Sequence, residues 1–153
     1  MKKYLNNHYQ VLFMKILFGL YAVVLIFIVF FTPNRYRSYN RLPPVYIIPL
    51  QTTISGLHRT PGEHFWPYWM GYIGNLAGNV LLFVPMGFLL KALNSTRSTR
   101  HIVLLGTLIS ISIELLQFIF KIGVCDIDDV LLNTLGTLCG VGLWRIGKKI
   151  MDR

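Results

Sequence analysis

Four stretches of this chain, near residues 11–31, 72–93, 102–120 and 130–147, are each long and apolar enough to cross a bilayer, and that decides the solvent in which it folds. A helix needs about 20 predominantly apolar residues to cover the ~30 Å of hydrocarbon in a typical membrane. Hydrocarbon offers no water to backbone N–H and C=O groups, so spans of this kind must satisfy them internally and are helices. The expected fold class is therefore all-α. The expected architecture is one domain over residues 1–153, a polytopic membrane bundle of about four transmembrane helices with an interfacial loop between spans 1 and 2.

Composition agrees with a lipid solvent. Of the 153 residues 54% are hydrophobic and 14% charged, against roughly 25% charged in soluble domains. A net charge of +9 would draw a soluble domain towards nucleic acid. Here Lys and Arg fall in short segments between the apolar runs rather than along one face, so no nucleic-acid partner is expected. Lys2 and Lys3 precede an apolar run from Ile16 to Phe31 with no small-x-small cleavage pattern after it, which reads as an uncleaved first span. If one helix joined Cys125 and Cys139, they would stand about 21 Å apart along it, beyond the ~7 Å reach of a disulfide.

The basic residues also orient the chain. Lys2, Lys3, Lys15, Lys91, Arg97, Arg100, Arg145, Lys148, Lys149 and Arg153 fall on one side, and Arg35, Arg37, Arg41, Arg59 and Lys121 on the other. By the positive-inside rule both termini of this multi-pass protein are expected in the cytoplasm. Between spans 1 and 2 lies a segment rich in Pro, Arg, Tyr and Trp. Its aromatic run Phe65-Trp66-Pro67-Tyr68-Trp69 has the character of a headgroup-level anchor.

In that topology the polar residues of the last three spans gather towards the outer surface. Residues three or four apart share a helix face, so Asn75 aligns with Asn79, and Ser110 with Glu114 and Gln117. Asp126, Asp129, Asn133, Gly136 and Gly140 form a third stripe. Even a permissive insertion scale places an Asp at a helix centre at roughly +2.5 to +3.5 kcal/mol, so the three stripes should face one another rather than lipid. Asp126 also suits the N-cap of the fourth span. The spacings Gly74-x-x-x-Gly78 and Gly136-x-x-x-Gly140 suit close helix approach. Pro85 should kink the second span, with Gly87 adding local freedom. His58 and His64 belong to the loop, and no ligand spacing calls for a metal or another cofactor.

These residues carry a resemblance. Asn79-Val-Leu-Leu-Phe-Val-Pro85-Met-Gly87, Glu114-Leu-Leu-Gln117 and Asp126-Ile-Asp-Asp129-Val-Leu-Leu-Asn133-Thr-Leu-Gly136 resemble the VanZ-like family of bacterial membrane proteins, over roughly residues 74–144. Where some members have an Arg shortly before the Asp-x-x-Asp motif, this chain has Gly123-Val-Cys125. The resemblance implies a small helical membrane protein of the cell envelope, a family in which low-level resistance to the glycopeptide teicoplanin is found.

The expected function is an envelope role in which an outward polar pocket of Asn79, Glu114, Gln117, Asp126, Asp129 and Asn133 binds an envelope lipid or precursor. Expected partners are membrane lipids, a cell-wall precursor or the glycopeptide itself, and a second copy of the chain, which the glycine spacings permit. Two alternatives stay open at this point. One is a membrane enzyme using Glu114 or Asp129 as acid or base on a lipid-linked substrate, although no nucleophile–base pair or oxyanion site is legible. The other is an ion or small-solute transporter with Glu114 on the pathway.

Overall fold

The structure, a computed structural model, describes residues 2–31, 42–59, 62 and 65–152. Arg35, Arg37, Arg41, His64 and Arg153, all drawn on above, lie outside the described residues. The elements in chain order are α1 (Lys2–Phe31), β1 (Val45–Tyr46), α2 (Gln51–Leu57), α3 (Phe65–Leu93), α4 (Thr99–Ile119), β2 (Cys125–Asp126) and α5 (Ile127–Met151). Four of the five helices, α1 from His8 onwards, α3, α4 and α5, are long and apolar enough to cross a membrane. The chain is an all-α, multi-pass membrane protein, and its two-residue strands form one small parallel pair with Val45 opposite Cys125 and Tyr46 opposite Asp126.

Two of the spanning helices, α4 and α5, start at a side-chain cap that the sequence supplies. Ser98 is the N-cap of α4, accepting from the His101 N–H at 3.4 Å. Asp126 is the N-cap of α5, its Oδ1 accepting from the Asp128 N–H at 2.9 Å, and Lys148 and Lys149 in the last turn complement the helix dipole. The second span begins at Phe65, seven residues before the expected Tyr72, so the aromatic run is helical rather than loop. Pro67 permits this because a proline in a first turn withholds an N–H that has no intrahelical partner anyway. Beyond it α3 continues through Pro85 as a single helix to Leu93.

Backbones pack tightly where small residues meet. Gly136 and Gly140 of α5 lie against the α3 backbone, and a Cβ on either would overlap the carbonyl of Val80 or Val84. Thr137, fully buried, meets Gly87 of α3 with its backbone and Gly106 of α4 with its side chain, so α3, α4 and α5 converge on one residue. Gly87 is thus a close-contact position. The expected close approach at Gly74 and Gly78 is not found, since a Cβ on either would meet nothing.

α1 closes one side of the core, placing Leu25 and Val29 against Phe83, Met86 and Leu90, while the Tyr21 hydroxyl donates to the Leu82 carbonyl at 2.6 Å. Its other faces present Phe13, Leu20, Val23, Phe27 and Phe31 outward, as a lipid-facing helix must. At the end of the bundle that carries Lys91, that residue is buried, with its ammonium donating to the carbonyls of Ser95 and Arg97 and lying 5.3 Å from the Trp144 ring centroid.

Candidate functional site

The polar stripes meet at the opposite end of the bundle. Asn79 of α3 donates through Nδ2 to Asp129 Oδ1 of α5 at 2.5 Å. Asn133, one turn further along α5, donates through Nδ2 to Ser110 Oγ of α4 at 2.8 Å. Gln117, two turns along α4 from Ser110, donates through Nε2 to the Val29 carbonyl of α1 at 3.2 Å. Glu114, between them on α4, accepts from the Asp126 N–H through Oε2 at 3.1 Å. Polar side chains therefore tie all four spanning helices together towards this end of the bundle.

Asn79, Glu114, Gln117, Asp129 and Asn133 line one partly enclosed cavity, bounded on its apolar side by Val29, Leu82, Phe83 and Ile113. Its volume of about 20 Å³ admits one water-sized molecule. Asn133 Oδ1, buried beside it, has no hydrogen-bond partner among the described residues. Of the six expected pocket residues the structure thus brings five to one cavity. Asp126 lies outside the cavity lining, before the helix rather than on its stripe; its side chain is spent on capping α5, and only its backbone N–H reaches the cluster. Asn75, one turn before Asn79 on α3, is exposed and does not line the cavity.

A cover lies over this end, and Asp128 holds it. The Asp128 carboxylate, only 2% exposed, accepts from the Leu50 N–H, from Thr52 Oγ1 at 2.7 Å, and from the Thr53 N–H and Oγ1 at 2.9 Å each. The N-terminus of α2 has no side-chain cap of its own, because Leu50 occupies the cap position in a left-handed conformation (φ 63°). An acid from α5 thus caps a helix 75 to 78 residues away in sequence. Two tyrosines complete the attachment, Tyr68 donating to the Gly56 carbonyl at 2.6 Å and Tyr72 to the Thr53 carbonyl at 2.7 Å, with their rings stacked 6.2 Å apart. Gly56 is required here, since a Cβ would run into the Tyr72 ring.

The sequence reading assigned Asp128 no role of its own. The available signal was its position one residue before Asp129, which turns it off the Asp129–Asn133 stripe and obliges it to find donors elsewhere. Beside β2, the Cys125 thiol is pushed above its ordinary value by burial first, then by the negative charges of Glu114 and Asp126. Cys125 and Cys139 are both free.

Comparison with known proteins places these residues in context. A family profile described as VanZ/LLP1 matches residues 18–148, which takes in α3 and α4 whole, part of α1, most of α5 and every residue lining the cavity. Among curated proteins, the protein named Protein VanZ from Enterococcus faecium is 32% identical over 83 residues, 54% of this chain and 52% of its own length. The matched region thus spans about half of that relative. No solved structure matches.

Proposed function

The chain belongs to the VanZ/LLP1 family, and from that premise we propose that it is an envelope protein of the bacterial cytoplasmic membrane whose polar end faces outward and engages an envelope lipid or lipid-linked precursor. By occupying or reorganising such a molecule it would alter the access of a glycopeptide antibiotic to its target. The observation that carries this reading is the convergence of Asn79, Glu114, Gln117, Asp129 and Asn133 from three helices beneath a cover pinned by Asp128. Acids and amides buried in a membrane bundle are costly, and such groups characteristically serve function there.

The division of labour follows from size. A cavity of about 20 Å³ is far smaller than a lipid headgroup, so the ligand meets the outer surface that the cluster supports. The cluster sets the relative positions of α3, α4 and α5, and Asp128 transmits those positions to α2. Orientation follows from the distribution of Lys and Arg, which leaves the cluster on the extracytoplasmic side.

The test is teicoplanin susceptibility of a sensitive Gram-positive host carrying wild type, Glu114→Gln, Asp129→Asn or Asn133→Ala at matched membrane levels. Protection by wild type that the three variants lack is the expected result. Correctly inserted variants that protect as well as wild type would remove the cluster from the function.

A further inference from the structure

Beside the cover, α2 and the start of α3 enclose a groove of about 560 Å³ lined by Thr52, Ser55, Gly56, His58, Arg59 and Tyr68. That volume lies within the ~300–1,000 Å³ of ordinary ligand sites, and its chemistry is one-sided. Neither Asp nor Glu appears among the described lining residues, and the nearby acid, Asp128, is engaged by Leu50, Thr52 and Thr53. The Arg59 guanidinium carbon lies 5.9 Å from the Tyr68 ring centroid. A planar guanidinium held over a ring keeps its N–H fork available for a phosphate or carboxylate.

The other polar groups of the groove are already committed. The Tyr68 hydroxyl donates to Gly56, the Ser55 hydroxyl donates to the Thr52 carbonyl at 3.1 Å, and His58 Nδ1 lies 2.9 Å from the Ile54 carbonyl. That last contact makes Nδ1 the donor and leaves Nε2 as the outward ring nitrogen. Along the same short helix Leu50, Ile54 and Leu57 are all more than half exposed, and Ile47 and Ile48 extend the apolar strip. Leu50, Ile54 and Leu57 recur at i, i+4 and i+7, the spacing of one helix face. An exposed apolar face beside a cationic groove, next to the exposed rings of Phe65 and Trp66, is the surface of an element lying at the headgroup level.

We infer that this groove binds the phosphate of an anionic membrane lipid, with Arg59 as its charge partner, His58 beside it, and the Leu50–Ile54–Leu57 face set among the acyl chains. The inference rests on the reading that this end of the bundle meets envelope lipid, and it adds the headgroup chemistry and the residues. Phosphate is favoured over a neutral headgroup because the groove supplies a full positive charge in a forked geometry, with no carboxylate among its described lining residues.

The test uses the full chain purified in mild detergent, with bound lipid counted by native mass spectrometry after exposure to equimolar phosphatidic acid, phosphatidylglycerol and phosphatidylcholine. A charge-assisted contact of this kind corresponds to about a tenfold preference for the two anionic lipids. Arg59→Gln should abolish the preference, and because Arg59 is exposed the variant keeps its fold. Arg145→Gln, at the opposite end of the bundle, should leave it intact. An unchanged preference in Arg59→Gln, or none in wild type, overturns the inference. Glycerol 3-phosphate competing as well as phosphatidic acid would overturn it too, making the ligand a soluble phosphate. The arms are separable from the drug assay, because lipid selection that ignores Arg59 while protection still needs Glu114 would refute the groove alone.

Discussion

Replacing Asp128 should release the cover without unfolding the bundle. The carboxylate accepts four hydrogen bonds, two of them from the backbone N–H groups of Leu50 and Thr53. In Asp128→Ala the threonine hydroxyls can turn to other acceptors, but those two N–H groups lose theirs, and a helix cap removed in this way costs about 0.5–2 kcal/mol. Hydrogen bonds to a charged acceptor contribute about 1.5–3 kcal/mol, so the upper end of the capping range applies. Taking ~2 kcal/mol, the open population of α2 rises roughly 30-fold. The assay is amide hydrogen exchange in lipid nanodiscs. Residues 50–57 should lose protection by about that factor, while amides of α3 and α5 near Gly87 and Thr137 keep theirs. Unchanged exchange at residues 50–57, or an equal loss throughout α3 and α5, would refute the capping argument.

Three further outcomes follow from the same geometry. Gly140→Ala places a Cβ against the Val84 carbonyl and should destabilise the bundle by about 1–3 kcal/mol, whereas Gly74→Ala, in open space, should be neutral or stabilising by up to ~1 kcal/mol; thermal unfolding in detergent reads both. Asn79→Leu removes the hydrogen bond to Asp129 and should cost about 0.6–1.7 kcal/mol, the range for single interhelical bonds in membranes, in the same unfolding measurement. The Cys125 thiol, raised by burial and by the charges of Glu114 and Asp126, should react slowly with maleimide at neutral pH and faster in Glu114→Gln, since removing a negative charge favours the thiolate. Equal rates in the two proteins would contradict that electrostatic account.

What the sequence made legible was governed by solvent and periodicity. Lipid forces apolar spans to be helices, and helical spacing put Ser110, Glu114 and Gln117 on one face and Asp129 with Asn133 on another; the structure brings those faces to one cavity. The cost of exposing acids and amides to hydrocarbon left few other arrangements. Asp126 was legible as a cap for a similar local reason.

What stayed hidden depended on the relative height and rotation of neighbouring helices. Gly74-x-x-x-Gly78 has the same spacing as Gly136-x-x-x-Gly140, yet only the second pair faces a helix at its own level. The early start of α3 was hidden because an aromatic run with a proline describes both an interfacial loop and a first helical turn. The capping of α2 by Asp128 joins residues with no local pattern between them. Its one trace in the sequence is a helix whose N-cap position holds Leu50 rather than Ser, Thr, Asp or Asn.

Everything proposed for the polar end requires that it face outward, and one labelling experiment settles this. Ser55 is exposed on α2, so Ser55→Cys in a background of Cys125→Ser and Cys139→Ser gives a single accessible thiol beside the groove. A membrane-impermeant maleimide added to intact cells or protoplasts should label it fully, with no further labelling after permeabilisation. Labelling only after permeabilisation would put the cluster, the cover and the groove in the cytoplasm and contradict the envelope role.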